Sequence, residues 1–251
     1  MMLIKWEKLP EEMQTDEVRK YYDILKKKKV SLFFKRVFDI VVSLFLLLLL
    51  SPIFLILAIA IKIDSKGPVF YRQKRITQYG KEFRIFKFRS MVQDADKGSL
   101  VTVQGDARVT RVGKVVRKCR LDEISQLIDV LRGKMTFVGT RPEVKKYVDQ
   151  YTPEMMATLL LPAGVTSLAS IYYKDEAELL DEAEDTDRVY VEDVLPAKMK
   201  YNLKAIEKFG FWSDIKVMFM TVFAVLGKEY KADGDGETKD ETQREENLND
   251  N

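Results

Sequence analysis

The sequence predicts an α+β protein attached to a membrane: an apolar segment broken at its middle, a small mixed α/β domain, and helices that lie at the membrane surface. Three observations carry this expectation. They are the apolar run Val37 to Ile61 interrupted by Ser51-Pro52, two strand patterns on either side of Tyr79-Gly80, and helical periodicities before and after them. With 251 residues, 46% hydrophobic and 32% charged, the chain suits one large domain or two small ones, and a collagen, a coiled coil or a wholly disordered chain is excluded.

The first element is expected over Glu11 to Lys29. Val18, Tyr21, Tyr22 and Leu25 recur there at helical spacing and four lysines close the run, which fits an ordinary surface helix or one lying on anionic lipid. The apolar segment follows, with Asp39 as its one charge. Its length is that of a transmembrane helix. Pro52, however, removes a backbone donor and clashes with the preceding turn, so a bend is expected at Ser51-Pro52. Neither half then crosses alone: even the longer one, from Val37 to Leu50, reaches only about 21 Å at ~1.5 Å per residue against ~30 Å of hydrocarbon. Basic residues crowd both flanks, Lys26 to Lys29 with Lys35 and Arg36 before, Lys62, Lys66, Arg72, Lys74 and Arg75 after. A re-entrant hairpin keeps both clusters on the cytoplasmic side, whereas a kinked span places one outside; the residues alone leave both open. A cleaved signal peptide is not expected, since the run starts late, is long and is followed by no small-residue cleavage site.

Gly67-Pro68 ends this segment, and Val69 to Gln73 and Phe83 to Arg89 read as strands. Alternation puts Lys87 and Arg89 on the face of Phe83 and Ile85, where they either snorkel at a strand end or reach phosphate. Further on, Leu121-Asp122-Glu123 precedes Ile124, Leu127, Ile128 and Leu131 at helical spacing, with Gly133 as a stop. Asp122 is thus expected at or near a helix N-terminus, where it also suits a plain cap. Near the end, Ser213-Asp214 can cap an almost wholly apolar helix through Gly227 that is too short to span.

Composition narrows the chemistry. There is no histidine and one cysteine, Cys119, so histidine triads and Cys or His clusters for zinc or iron–sulfur are excluded within one chain. Catalysis falls to Asp, Glu, Lys, Ser or Tyr, and a metal would be a hard cation on oxygen ligands. The lone cysteine makes no internal disulfide, which fits a reducing compartment. The net charge of +3 divides unevenly: Asp233 to Asn251 holds eight acids and two bases with one large apolar residue, Leu248, and is expected to be disordered. Between Lys62 and Asp149, 21 Lys or Arg face 10 Asp or Glu, an excess that attracts a polyanion: nucleic acid, anionic lipid or nucleotide phosphate. Arg108, Arg111, Lys114, Arg117, Lys118, Arg120 and Arg141 exceed what pairing with Asp122 and Glu123 requires, and such a cluster can hold a diphosphate. Adjacent helical carboxylates point about 100° apart, a poor glycosidase pair, but one can attack phosphorus while the other holds magnesium.

These residues fall in an ordered set of motifs: KRVFDIVVS at Lys35 to Ser43, Ser51-Pro52, GPVFYRQKR at Gly67 to Arg75, FKFRSM at Phe86 to Met91, DARVTRVGKVVRK at Asp106 to Lys118, LDEISQL at Leu121 to Leu127 and VGTRPE at Val138 to Glu143. From about Phe34 to Gly227 the chain resembles the bacterial sugar transferases, or monotopic phosphoglycosyl transferases, which start glycoconjugate assembly on a polyprenyl phosphate. The resemblance implies a re-entrant helix bent at Ser51-Pro52, and with it the hairpin over the span. It implies a phosphosugar moved from a UDP-sugar to a polyprenyl phosphate, undecaprenyl phosphate above all, with release of UMP, at the cytoplasmic face of a bacterial inner membrane and with no nucleic acid partner. Asp122 is then the nucleophile and Glu123 the ligand of Mg2+. Lys87, Arg89, Arg111, Arg117 and Arg141 fall in motifs around the nucleotide-sugar and phosphate site, and Lys35 and Arg36 lie where they could meet the lipid phosphate. The implied layout is an N-terminal interfacial region over 1–33, the hairpin over 34–66, the catalytic domain with interfacial helices over 67–227 and the acidic tail over 228–251. In one place the chain departs from the family. Many members carry Gly-Ile-Thr and then Gly-Trp, whereas here Gly164-Val165-Thr166 runs into Ser167-Leu168 and an acid-rich stretch, Asp175 to Asp187. The sugar pocket is expected to be shaped there. The competing class is a membrane-anchored basic module for nucleic acid or anionic lipid, which gives no reason for the Asp-Glu pair.

Overall fold

The computed structural model describes residues 3–93, 95, 107–173, 186–227 and 230. The expected acidic tail and most of the acid-rich stretch lie outside them.

Helix α1 (Asp16–Lys27) begins where the Thr15 hydroxyl accepts the Val18 amide, with Asp16 and Glu17 in its first turn and lysines in its last. Val18, Tyr21, Tyr22 and Leu25 are buried as expected, but against Ala157, Leu160, Leu203, Ile206 and Phe209. Protein covers this apolar face, so it is not offered to lipid.

Helix α2 (Lys29–Leu49) starts ahead of the boundary expected at residue 34, and α3 (Ser51–Asp64) leaves it at 61°. No single helix among the described residues is long and apolar enough to cross a membrane. The bend has a local cause. In a continuous helix the Leu48 carbonyl would accept from the backbone nitrogen of residue 52, and Pro52 has no proton to give. The Ser51 hydroxyl donates to that carbonyl instead, at 2.8 Å.

Strands β1 (Phe70–Ile76) and β2 (Glu82–Phe88) form an antiparallel pair with Tyr71 opposite Lys87 and Arg75 opposite Phe83. They turn at Gln78–Gly80, where both Tyr79 (φ 60°) and Gly80 (φ 70°) are left-handed. The pair is longer on its turn side than the sequence suggests, and Arg89 lies just past its end. Helix α4 (Arg111–Lys118) follows, capped by Thr110, and Gly113 lets it approach the preceding chain: a Cβ there would fall 1.9 Å from the Ser90 carbonyl oxygen. A 3-10 turn, Ile124–Gln126, runs into α5 (Leu127–Leu131). A parallel pair, β3 (Met135–Val138) and β4 (Ala163–Thr166), is flanked by α6 (Lys145–Val148) and α7 (Leu168–Tyr172). Thr186–Val189 continues through a π-helical turn, Tyr190–Val194, into α8 (Leu195–Glu207), and α9 (Phe211–Val225) ends the described helices. Ser213 and Asp214 do not cap α9, because the helix starts two residues earlier, after extended Gly210.

A core of Phe83, Ile85, Leu127, Val130, Met135 and Phe137 packs against Phe38, Val42 and Leu46 of α2. Val41, Leu48, Ile56 and Ile63 on α2 and α3, and Trp212, Phe219 and Phe223 on α9 with Leu226 just past its end, stay exposed. Charged side chains of α2 fasten the two parts. Lys35, 3% exposed, donates to the Val138 carbonyl at 2.7 Å and to Asp214. Asp39, 1% exposed, accepts from the Thr136 hydroxyl at 2.8 Å and the Phe137 amide at 3.2 Å. Arg36 holds the carbonyls of Val130 and Leu131 at the end of α5, at 2.7 and 2.9 Å.

Candidate active site

The carboxylates sit on a turn built by its neighbours. Helix α4 closes with the Arg120 amide on the Arg117 carbonyl and the Leu121 amide on the Val116 carbonyl, a Schellman arrangement whose left-handed position is Arg120 (φ 52°) instead of glycine. Such a residue costs roughly 1–2 kcal/mol there. Leu121 and Val116 pack in one cluster, and the chain emerges directly at Asp122. The outer edge of β2 then takes the next segment in place of a third strand. The Phe88 amide donates to the Asp122 carbonyl at 3.2 Å, Ser125 to the Phe86 carbonyl at 3.0 Å, and the Phe86 amide to buried Asp129 at 2.8 Å. These three bonds set Asp122 and Glu123 beside Lys87. The helix-cap expectation is corrected: a 3-10 turn with Glu123 in its cap position and no side-chain cap stands where an α-helix N-terminus was expected.

Glu123 pairs with Arg141 and lies 3.9 Å from the Lys87 ammonium, both through Oε1. Burial pushes its pKa up, but Arg141 and Lys87 outweigh burial and hold it below the usual carboxylate range. Asp122 ends on the other side of its ordinary value. Burial raises it, Lys87 opposes and the Glu123 charge adds to the rise. Lys87 itself is held down by burial, against the pull of Glu123.

Two cavities meet at Lys87 and Arg75. One, of about 570 Å³, is lined by Asp122, Lys87, Arg75, Arg108, Arg117 and the rings of Phe70 and Tyr71. The other, of about 220 Å³, is lined by Lys87, Arg75, Arg141, Gln126, Glu143 and Tyr190. A larger cavity of about 640 Å³ between α7, α8 and α9 holds neither carboxylate, and Ser167 and Leu168 line it. The departure at Ser167-Leu168 therefore does not shape the space beside Glu123. The described end of the acid-rich stretch does approach that space: Thr186 lines it, and Asp187 accepts from Tyr147 at 2.7 Å and pairs with Lys146.

Of the expected site residues, the fold brings together Asp122, Glu123, Lys87, Arg117 and Arg141. Arg117 reaches the larger of the two meeting cavities with its Nε on the Ser90 hydroxyl, at 2.9 Å. Arg89, 5% exposed, also lines that cavity, with its guanidinium on the carbonyls of Ser65, at 2.7 Å, and Lys66, at 3.0 Å, at the end of α3. Three expectations need correction. Arg111 is exposed at the start of α4 beside Asp64 and lines neither cavity. Lys35 and Arg36 spend their charges on Asp214 and on backbone carbonyls, so neither is presented to a lipid phosphate. Ser51 and Pro52 form the bend, as expected. Arg108, named among the cations able to hold a diphosphate, does line the cavity with Asp122; sequence reasoning missed Arg75 as a site cation, and it missed Gln126, Glu143 and Tyr190. Arg75 was legible in principle, since it falls opposite Phe83 once the strands pair; Tyr190 comes from so distant a part of the chain that only the fold reveals it.

Known proteins bear on this arrangement. The family model described as bacterial sugar transferase matches residues 30–228. A UDP-N-acetylgalactosamine-undecaprenyl-phosphate N-acetylgalactosaminephosphotransferase of Aeromonas hydrophila is 36% identical over 198 residues, which cover 77% of this chain and 44% of that protein. A UDP-glucose:undecaprenyl-phosphate glucose-1-phosphate transferase of Klebsiella pneumoniae is 37% identical over 199 residues, 77% of this chain and 40% of that protein. The chain thus spans less than half the length of these two relatives. An uncharacterized sugar transferase of Bacillus subtilis is 30% identical over 196 residues, covering 78% of this chain and 88% of that protein. With the match running from the start of α2 past the end of α9, the chain belongs to the bacterial sugar transferase family.

Proposed function

We propose that this chain is a phosphoglycosyl transferase that moves a phosphosugar from a UDP-sugar to undecaprenyl phosphate, through a covalent bond to Asp122. The observation that carries the reading is a partly buried carboxylate opening onto a cavity walled by Arg75, Arg108 and Arg117, with Lys87 at its side. Arginines suit the donor's diphosphate because the guanidinium fork matches phosphate oxygens. Burial strips water from the Asp122 carboxylate and raises its basicity, while Lys87 favours its ionised form. An Asp122 oxygen attacks the phosphorus that carries the sugar, the bond from that phosphorus to the bridging oxygen breaks, and UMP leaves with the bond electrons. An oxygen of the lipid phosphate then attacks the same phosphorus and restores the carboxylate.

Two adjacent carboxylates, with Glu123 meeting Arg141 and Lys87 through Oε1, fit magnesium, which is commonly held by one or two carboxylates together with substrate phosphates. Glu123 would hold it, and the ion would supply charge neutralisation at the diphosphate. The relatives act on undecaprenyl phosphate by name. The bent α2–α3 pair, with exposed apolar side chains, is read as re-entering the cytoplasmic leaflet of a bacterial inner membrane, and the exposed face of α9 as lying in the interface.

The test is intact-protein mass spectrometry of the detergent-solubilised chain with magnesium, a UDP-sugar and no acceptor. A phosphosugar adduct with release of UMP is expected, and Asp122→Asn removes both. No adduct on the wild type, with normal turnover by a folded Asp122→Asn protein, overturns the covalent step. For topology, single cysteines at Lys29 and Lys66 in a Cys119→Ser background are expected to label from the cytoplasmic side only.

A further inference from the structure

Resting on the reading of α9 as an interfacial helix, we propose that the cavity of about 640 Å³ between α7, α8 and α9 seats one anionic phospholipid, with an acyl chain inside and the headgroup phosphate on Lys208 and Lys216.

The first observation is where the cavity lies. At about 100° per residue, Ser213, Val217 and Met220 form one side of α9 and line the cavity, while exposed Trp212, Phe219 and Phe223 lie roughly 100° further round. Lys216 falls between the two sides and lines the cavity from their border. The face offered to the bilayer therefore adjoins the cavity along α9.

The second is the lining. Leu161, Leu168, Phe209, Val217 and Met220 give it an apolar wall, and hydroxyl groups among them are already spent on the protein. Thr158 donates to the Met155 carbonyl at 2.7 Å, Ser213 to the Gly210 carbonyl at 2.6 Å, and Ser167 pairs with the Ser170 hydroxyl at 3.0 Å. An apolar wall whose hydroxyls are satisfied suits hydrocarbon.

The third is charge. Lys204, Lys208 and Lys216 line the cavity and are exposed, whereas the one acidic side chain in its described lining, Asp214, is held by Lys35. Lys208 and Lys216 have no ion-pair partner among the described residues. A lysine lays its methylenes along apolar groups and keeps its ammonium hydrated, so these two fit a phosphodiester at headgroup level. No arginine lines this cavity, in contrast to the one that holds Asp122, and neither carboxylate reaches it. A lipid held here is thus not placed to react.

The experiment is native mass spectrometry of the full chain in detergent, with phosphatidylglycerol, phosphatidylcholine of the same acyl chains and undecaprenyl phosphate supplied in turn. One phosphatidylglycerol should be retained at a concentration about tenfold or more below that needed for phosphatidylcholine, since each lysine near the surface contributes roughly fivefold. Lys208→Gln with Lys216→Gln should bring the two within about twofold, and Ala205→Trp, which narrows the cavity, should abolish the retained phosphatidylglycerol. Both lysines are exposed, so their substitution tests the seat even where the tryptophan variant does not fold. The proposal is overturned if the headgroup makes no difference, if the preference survives loss of both lysines, if it survives in a folded Ala205→Trp protein, or if undecaprenyl phosphate is retained more tightly through the same lysines. A preference seen only once residues 233–251 are deleted assigns the cavity to the chain's own acidic tail and also overturns it. The interfacial reading is checked separately: with Trp6→Phe, Trp212 is the sole tryptophan, and phosphatidylcholine brominated in its acyl chains should quench it. Quenching without a headgroup preference fells the seat alone; a lysine-dependent preference with Trp212 unquenched fells the interfacial reading and leaves the seat standing.

Discussion

Lys35 and Lys87 are both withdrawn from water, and their surroundings make opposite use of them. The side chain of Lys35 is 4% exposed and meets Asp214 and the Val138 carbonyl; nearby, Arg36 and Asp39 also end on protein groups. The side chain of Lys87 is 24% exposed, its closest ion-pair partner lies at 3.9 Å, and it borders both cavities. In the first cluster every charge finds a polar partner within the fold, which leaves nothing to offer a substrate. In the second, cations outnumber the carboxylates they touch, and burial pushes Asp122 and Lys87 away from their ordinary acidities. A basic residue in a sequence motif can belong to either kind, and its partners decide.

The difference can be broken most severely at Asp122. Asp122→Asn should cost the transfer reaction a factor on the order of 10³ or more, as loss of a covalent nucleophile does. The same substitution should stabilise the fold at neutral pH. A carboxyl raised in the folded state is unfavourable once ionised, so the Asn protein should melt a few degrees higher near pH 7, and the gap should close as pH falls below the ordinary Asp value. Thermal melts across pH read this directly.

At Lys35 the pattern should invert. Lys35→Met strands a buried Asp214 and should lose about 3–5 kcal/mol of stability, while Lys35→Met with Asp214→Leu regains much of it. Denaturant titration checks both, and UMP release per folded molecule should change little.

Arg141→Met sharpens the comparison from the other side. Without its main cation, the Glu123 pKa should rise, so the acidic limb of the pH–rate profile should move to higher pH and magnesium affinity should fall by roughly 10–100-fold. A rate profile at fixed and varied magnesium separates the two effects. The smallest effect is expected at Arg120. Arg120→Gly relieves a left-handed arginine and should leave stability level or raise it by up to about 1 kcal/mol, measured by urea midpoint.

The apolar run, its break at Pro52, the strand pair and the Asp-Glu pair were legible because each is a local pattern. So was the apolar face of α1, although only the fold shows that protein covers it. Lys35 and Arg36 misled for one reason: a motif gives the residue type, whereas the carbonyls of Val138 and Val130 that occupy them come from other parts of the chain. The start of the Asp122 helix misled differently. The apolar spacing of Ile124, Leu127 and Leu131 is helical, yet the hydrogen bonds to β2 draw the first turn into a 3-10 form that no periodicity distinguishes.

The hydroxyl of Ser51 makes the bend sensitive to its medium. In water the Leu48 carbonyl would find a solvent partner and the serine would be dispensable; in hydrocarbon no water replaces the lost hydroxyl. Ser51→Ala should therefore be nearly silent where water reaches the bend, as in small micelles, and should cost about 1–3 kcal/mol when the bend lies deep in a bilayer. On the proposed re-entrant topology the pair acts as a depth gauge: the penalty for losing one oxygen atom, compared across bilayers of increasing thickness, would report how far the elbow sits below the headgroups.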